Sequence, residues 1–265
     1  MASAQVKTAL LFAGLFAEGT TRVEEPVQTR DHGELGLKAF GAELDRSPRQ
    51  AAIRGRQKLR AITAPIAGDI SSAAFFLCAA ALFPGSEISL PRVLLNPTRA
   101  RLLDTLAVLG LRISLAEVEE RQGELVGTLR AEGGDLNGAR ITGEASAALI
   151  DEIPVLAAIA PYTANGIEIR DAGELRVKES DRIASLTKNL ALMGAEAQEF
   201  PDGLRIPGRQ NLRGASVDSF GDHRIAMAFG IAALRASGET EIRGADAAVI
   251  SYPDFFPQLE TIVER

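Results

Sequence analysis

One cysteine, two histidines and no tryptophan occur in 265 residues. Cys78 has no partner for an internal disulfide, which is compatible with a reducing cytoplasm. Its setting, "AAFFLCAAAL", makes it a packing residue, since apolar surroundings raise a thiol's pKa and suppress its reactivity. His32 and His223 together with that cysteine match no metal-ligand spacing, so no metal is expected. Basic residues are outnumbered, 29 Lys and Arg against 35 Asp and Glu, and a net charge of −6 argues against a nucleic-acid-binding face. Any recognition of phosphate must therefore be local. Long apolar runs are missing as well: the stretch in "MASAQVKTALLFAGLFAEG" is too short to span a bilayer and its flank too weakly charged for a signal peptide. No membrane partner is expected.

What is present is an ordinary globular composition, 46% hydrophobic and 24% charged, enough for one large core or two smaller ones. Similar blocks recur along it: "TALLFAGLFAEGTTRV", "AFFLCAAALFPGSEISL", "PVLAAIAPYTANGIEI" and "AMAFGIAALRASGETEI". Each predicts an Ala-rich apolar helix, a glycine (Gly19, Gly85, Gly166, Gly238) and a short strand. A second, amphipathic helix follows each strand, in "HGELGLKAFG", "RARLLDTLAVLG", "DRIASLTKNLALMG" and "PDFFPQLETI". The repeat glycines lie about 65 to 80 residues apart, too far for a solenoid rung. With further β-like stretches such as "LRISLAEV" and "GLRIPG", the pattern predicts an α/β fold of repeated β-α-β-α-β-β units, helices packed under mixed sheets. The uniformly apolar first helices should be inner and the amphipathic ones should border solvent. The chain opens on a first helix and stops on a second one, as a permuted or truncated set of repeats would, so a missing N-terminal segment is expected.

Polar residues cluster where the first helices begin, in "SAQ" (3–5), "GDISS" (68–72), "IDE" (150–152) and "GDHR" (221–224). Free backbone N–H groups at such positions attract anions, and an arginine fixed there, Arg224, suits a carboxylate or phosphate. The plainer reading of "GDHR" is an internal Asp–Arg pair holding the helix start. The stretch "VKESDRI" (177–183) poses a related question, because Lys178, Glu179, Asp181 and Arg182 crowd two acids and two bases together. A solvated first turn capped by Ser180 would suit the acids but leaves both bases at the wrong end of the helix dipole.

Taken in order, "SAQVKTALLFAGL", "TRDH", "GDISSAAFFLCAAAL", "LNPTR", "IDEIP", "ELRVKESDRI", "GDHRIAMAF" and "SYPDFF" resemble the EPSP synthase family, the 3-phosphoshikimate 1-carboxyvinyltransferases. The resemblance implies an enolpyruvyl transferase fold of two domains with the site in a cleft. It implies transfer of the enolpyruvyl group of phosphoenolpyruvate to the 5-hydroxyl of shikimate 3-phosphate, in the shikimate pathway to aromatic amino acids, without metal or organic cofactor. By the same resemblance Glu179 would exchange a proton with the methylene carbon and Asp151 would take the hydroxyl proton. Arg182 and Arg224 would clamp phosphoenolpyruvate, Lys178 and Glu174 would line the sugar site, and Ser3, Gln5 and Thr29 would position shikimate 3-phosphate. Plain capping is the alternative for the last three.

Family members carry a long region before "SAQ", with a lysine and an arginine motif that complete the phosphoenolpyruvate pocket, and this sequence has none of it. Residues 1–65 then correspond to a remnant of one domain and 66–265 to most of the other. The chain alone is expected to be inactive, with the missing N-terminal segment a candidate partner in trans. The related UDP-N-acetylglucosamine enolpyruvyl transferases and a non-catalytic half of a split enzyme are the competing readings; "VKESDR" and "GDHR" favour the shikimate enzyme.

Overall fold

The structure is a computed structural model that describes residues 3–263. The first elements are α1 (Ala4–Phe16), β1 (Thr20–Glu24), α2 (His32–Ala39), β2 (Leu44–Ser47) and β3 (Gln50–Arg54). There follow α3 (Ile70–Ala81), β4 (Glu87–Leu94), α4 (Arg101–Leu109), β5 (Arg112–Arg121), β6 (Glu124–Glu132) and β7 (Gly138–Ile141). Next come α5 (Glu144–Ala148), α6 (Ile153–Ile159), β8 (Gly166–Ile169), α7 (Arg182–Leu192), β9 (Gln198–Phe200) and β10 (Gly203–Ile206). The chain closes with β11 (Ser216–Asp218), α8 (His223–Ala233), β12 (Glu241–Arg243) and α9 (Phe255–Ile262). The repeat of apolar helix, glycine, strand and amphipathic helix is thus present four times, and Gly19, Gly85, Gly166 and Gly238 all take the positive φ that such a reversal needs.

Two compact units are formed. The first holds the described residues up to Gly68 with Arg92–Ala100 and Glu117–Gly127. Its sheet has the order β1-β3-β2, antiparallel throughout, with Thr21 and Leu44 both opposite Ile53. Leu11 of α1, Leu37 of α2, Leu44, Ala51 and Ile53 make its core. Here α1 departs from the expectation of an inner helix. Only Lys7, Leu11 and Gly14 are buried on it, whereas Val6, Leu10, Phe12 and Phe16 are exposed, because one sheet and α2 cover a single stripe.

The second unit comprises Asp69–Pro91, Arg101–Ala116 and the described chain from Thr128. Its main sheet, β7-β8-β10-β9, is mixed: β7 and β8 run parallel, while β10 is antiparallel to β8 and β9. A second, parallel pair joins β11 to β12. The three apolar helices behave as their composition demands, with α3, α6 and α8 buried along nearly their whole length and in mutual contact. In contrast α7 buries Ile183, Leu186 and Leu190 on one stripe and leaves Leu192 exposed, a pattern in which each buried side chain contributes about 1.5–3 kcal/mol. α9 is fixed by Phe255, whose ring meets Phe75 of α3 edge-on at 5.5 Å. The sheet β4-β6-β5 has residues in both units.

Candidate active site

The charged stretch before α7 folds as a 3₁₀ turn, Gly173–Val177, and an extended step at Lys178. Arg176 secures this turn by donating to the carbonyls of Pro201 (2.8 Å) and Phe200 (2.6 Å) and to the carboxylates of Asp181 (2.8 Å) and Glu199 (2.9 Å). The N-cap of α7 is Asp181, not Ser180: its carboxylate accepts from the Ala184 N–H at 3.0 Å and adds negative charge where the helix dipole favours it. Ser180 turns instead to Asp222, donating at 3.1 Å.

Arg182 is the centre of the arrangement. Its side chain is 1% exposed, and a charge so deep is tolerable only when paired. Nε donates to Asp222 Oδ2 at 2.8 Å and Nη2 to Glu179 Oε2 at 2.6 Å, with a longer bond to Asp222 Oδ1. The carboxylate of Asp151 lies 3.9 Å from Nη1. Nη1 itself is buried and has no hydrogen-bond acceptor among the described residues. Asp222 is fully buried and also caps α8, accepting from the Arg224 N–H at 2.9 Å. Burial pushes its carboxyl upward, but the hydrogen bonds and charge of Arg182, with the Arg224 N–H and Ser180, hold it below the ordinary carboxylate value.

The start of α8 adds two further groups. Arg224 donates from Nη1 to the Asp151 carbonyl at 2.7 Å, and the same nitrogen lies 3.9 Å from Glu152 Oε1. Glu152 is buried and accepts from Ser71 at the head of α3. His223 is also buried, and its Nδ1 has no partner among the described residues. Burial and then the neighbouring Arg224 charge lower its pKa, so the imidazole is neutral at pH 7.

Asp151, Glu179, Arg182 and Arg224 are therefore brought into one cluster. Lys178 and Glu174 stand beside it as an ion pair with each other. Glu179 is half exposed. The planar fork expected to hold a ligand is, on Arg182, already occupied by Asp222 and Glu179, which leaves Nη1 as its one nitrogen without a hydrogen-bond acceptor among the described residues. An unpaired buried donor costs about 1–3 kcal/mol. Ser3, Gln5 and Thr29 belong to the other unit. Ser3 caps α1 by accepting from the Val6 N–H at 3.4 Å, Gln5 is exposed, and Thr29 donates both its N–H (3.1 Å) and its hydroxyl (2.6 Å) to Glu25.

Sequence reasoning assigned no role to Glu152 and Arg176, and it weighed Asp222 only as an internal partner of Arg224. The internal Asp–Arg pair considered for "GDHR" is not formed: Asp222 accepts from the Arg224 backbone N–H, and its carboxylate takes the guanidinium of Arg182, 40 residues away in sequence. Ser71 and Glu152 lay within stretches already marked as helix starts, and only folding shows that they bond to each other. Arg176 gives no local signal, since all its partners are tertiary or five residues on.

Comparison with known proteins agrees with this architecture. The family model for EPSP synthase (3-phosphoshikimate 1-carboxyvinyltransferase) matches residues 1–259. The 3-phosphoshikimate 1-carboxyvinyltransferase of Koribacter versatilis is 59% identical over 263 residues, covering 99% of this chain and 62% of that protein. That of Solibacter usitatus is 53% identical, with the same coverage of 99% and 62%. An EPSP synthase structure from Acinetobacter baumannii superposes with a TM-score of 0.92 at 36% identity, over 99% of this chain and 61% of that one. The enolpyruvyl transferase NikO of Streptomyces tendae shares the fold, with a TM-score of 0.77 at 22% identity over 98% of this chain and 59% of that one. The fold class is thus that of the enolpyruvyl transferases. Within it, the chain belongs to the EPSP synthase family. It spans about 62% of the length of the curated relatives it matches.

Proposed function

We propose that this chain is the C-terminal portion of an enzyme that transfers the enolpyruvyl group of phosphoenolpyruvate to the 5-hydroxyl of shikimate 3-phosphate, releasing phosphate. Residues 1–65 would be a remnant of the shikimate 3-phosphate domain and 66–265 most of the second domain. The observation that carries the reading is the cluster at the heads of α7 and α8, where two carboxylates flank a buried guanidinium with one uncommitted nitrogen. In the addition step the 5-hydroxyl oxygen bonds to the enol carbon, Asp151 takes its proton, and Glu179 gives a proton to the methylene carbon. In the elimination Glu179 recovers a proton from that carbon, the double bond re-forms and the phosphate C–O bond breaks. Two carboxyl groups in different surroundings suit these opposite duties: Glu179 is half exposed, whereas 19% of the Asp151 side chain is. Arg182 Nη1 and Arg224 would hold the anionic groups of phosphoenolpyruvate, Lys178 and Glu174 would line the sugar site, and Ser3, Gln5 and Thr29 would position shikimate 3-phosphate. The net-acidic chain with no membrane-length helix among its described residues fits a cytoplasmic enzyme acting on small molecules.

The N-terminal third of the relatives would supply further basic groups, so this chain alone is expected to be silent. The test is phosphate release from both substrates, first with the purified chain and then after adding the N-terminal segment of the Koribacter versatilis relative. Activity only on mixing supports the reading. No turnover with any combination, or turnover of UDP-N-acetylglucosamine instead of shikimate 3-phosphate, refutes it.

A further inference from the structure

Two stretches singled out in the sequence, "TRDH" and "LNPTR", meet within the first unit through one side chain. Asn96 is 2% exposed, and every polar atom of its carboxamide is used. Nδ2 donates to Asp31 Oδ1 at 2.8 Å and to Glu124 Oε1 at 3.0 Å, while Oδ1 accepts from the Thr98 N–H (2.8 Å) and the Thr98 hydroxyl (2.7 Å). Two donors answering two carboxylates and one oxygen answering two donors is a pattern that an amide satisfies and a carboxylate or an alkyl group does not. Asp31 stands at the N-cap position of α2 yet makes no side-chain capping bond. Its carboxylate is turned instead to Asn96, to Arg46 and to the Thr98 hydroxyl at 3.2 Å. Helix capping therefore does not account for Asp31. Glu124 is held in turn by His32.

The opposite end of the same turn is fixed independently. Glu25 accepts from the Thr29 N–H and hydroxyl and from Lys7 of α1 at 2.9 Å. The backbone carrying Thr29 and Arg30 is thus anchored on one side by Glu25 and on the other by Asp31. We propose that Asn96 is a positioning residue: its buried carboxamide fixes Asp31 and Glu124 and thereby the 25–31 turn against which shikimate 3-phosphate is placed. The identity of that ligand rests on the function proposed above. Misplacing a positioning element by about 1 Å costs up to roughly 100-fold.

The test uses the chain complemented by the relative's N-terminal segment. Asn96→Asp preserves shape and sets a third carboxylate against Asp31 and Glu124. It should raise the KM for shikimate 3-phosphate by roughly 10- to 100-fold, with kcat and the phosphoenolpyruvate KM within about twofold. Adding Glu124→Gln, which supplies a donor to the new acid, should recover part of that loss, a rescue that general destabilisation would not show. Should Asn96→Asp fail to fold, Thr98→Val removes the single hydroxyl proton within reach of both Asn96 Oδ1 (2.7 Å) and Asp31 Oδ1 (3.2 Å) and should shift the same constant in the same direction. Hydrogen exchange on the 265-residue chain gives a readout independent of activity, in which Asn96→Asp should strip protection from the Thr29 amide. An unchanged shikimate 3-phosphate KM in a folded, active variant overturns the positioning role, as does an unchanged Thr29 exchange rate. A wild-type complemented enzyme that uses neither substrate refutes the functional reading instead, while loss of Thr29 protection would still place Asn96 as the turn's anchor.

Discussion

Replacing Asp222 by alanine removes the one fully buried acid that faces Arg182, and the structure fixes what the loss should amount to. Four interactions go together: the bond from Arg182 Nε at 2.8 Å, the longer one from Nη2, the Ser180 hydroxyl at 3.1 Å and the Arg224 N–H at 2.9 Å. Arg182 keeps only Glu179, which is half exposed, and Asp151 at 3.9 Å. Breaking a buried pair by deleting one partner costs about 3–5 kcal/mol, and the lost helix cap adds about 1 kcal/mol. With a urea m-value of about 2–3 kcal/mol/M, the unfolding midpoint should fall by roughly 1–3 M. Asp222→Asn keeps the acceptor for Arg224 but loses the charge, so its shift should be smaller. The pH dependence has a definite sign. Because the folded carboxyl is held below its unfolded value, its contribution is present above about pH 4 and fades as pH falls through the lower folded value. The gap between wild type and Asp222→Asn should therefore narrow in acid. A loss of stability for Asp222→Ala below the ~0.5 kcal/mol typical of surface changes would refute the assignment of Asp222 as the counter-charge.

Other perturbations follow from the same geometry. Lys7→Met leaves Glu25 and Glu34, which Lys7 meets at 2.9 and 2.7 Å, buried without their cation, and should destabilise the first unit by about 3–5 kcal/mol in urea titrations. In the complemented enzyme, Glu179→Gln should lower kcat by roughly 10²–10⁴-fold with little change in shikimate 3-phosphate affinity, whereas Arg224→Ala should chiefly raise the phosphoenolpyruvate KM; steady-state kinetics separates the two. His223 has a lowered folded pKa, so the unfolded chain binds more protons in mild acid and stability should drop as pH falls below about 6.5; His223→Gln should flatten that slope in thermal melts across pH.

The fold was legible because its signals are local. An Ala-rich helix ended by a positive-φ glycine, then a strand and an amphipathic helix, repeats with the periodicities that composition imposes, and each such block is found where it was expected. Composition alone misplaced α1, whose burial depends on how many neighbours surround it and not on how apolar it is. The cap of α7 was misread for a related reason: Ser180 and Asp181 both suit an N-cap, and the choice was decided by Asp222, a residue distant in sequence that claims the serine hydroxyl.

The same contrast explains the charge crowding in "VKESDRI". Seen along the chain, Lys178 and Arg182 sit at the unfavourable end of a helix dipole. In the folded unit the compensation is partly local and partly distant: Lys178 is paired with Glu174, Asp181 caps the helix under the hold of Arg176, and Arg182 is met by Glu179 three residues before it and by Asp222 at the head of a different helix. Each of those contacts satisfies a protein group with a protein group. Arg182 Nη1 and the neutral His223 Nδ1 are the exceptions at this cluster, both buried and both without a hydrogen-bond partner among the described residues. Structural requirements account for the rest of the arrangement and not for these two atoms, which are the ones that the anionic ligand proposed for the heads of α7 and α8 would satisfy.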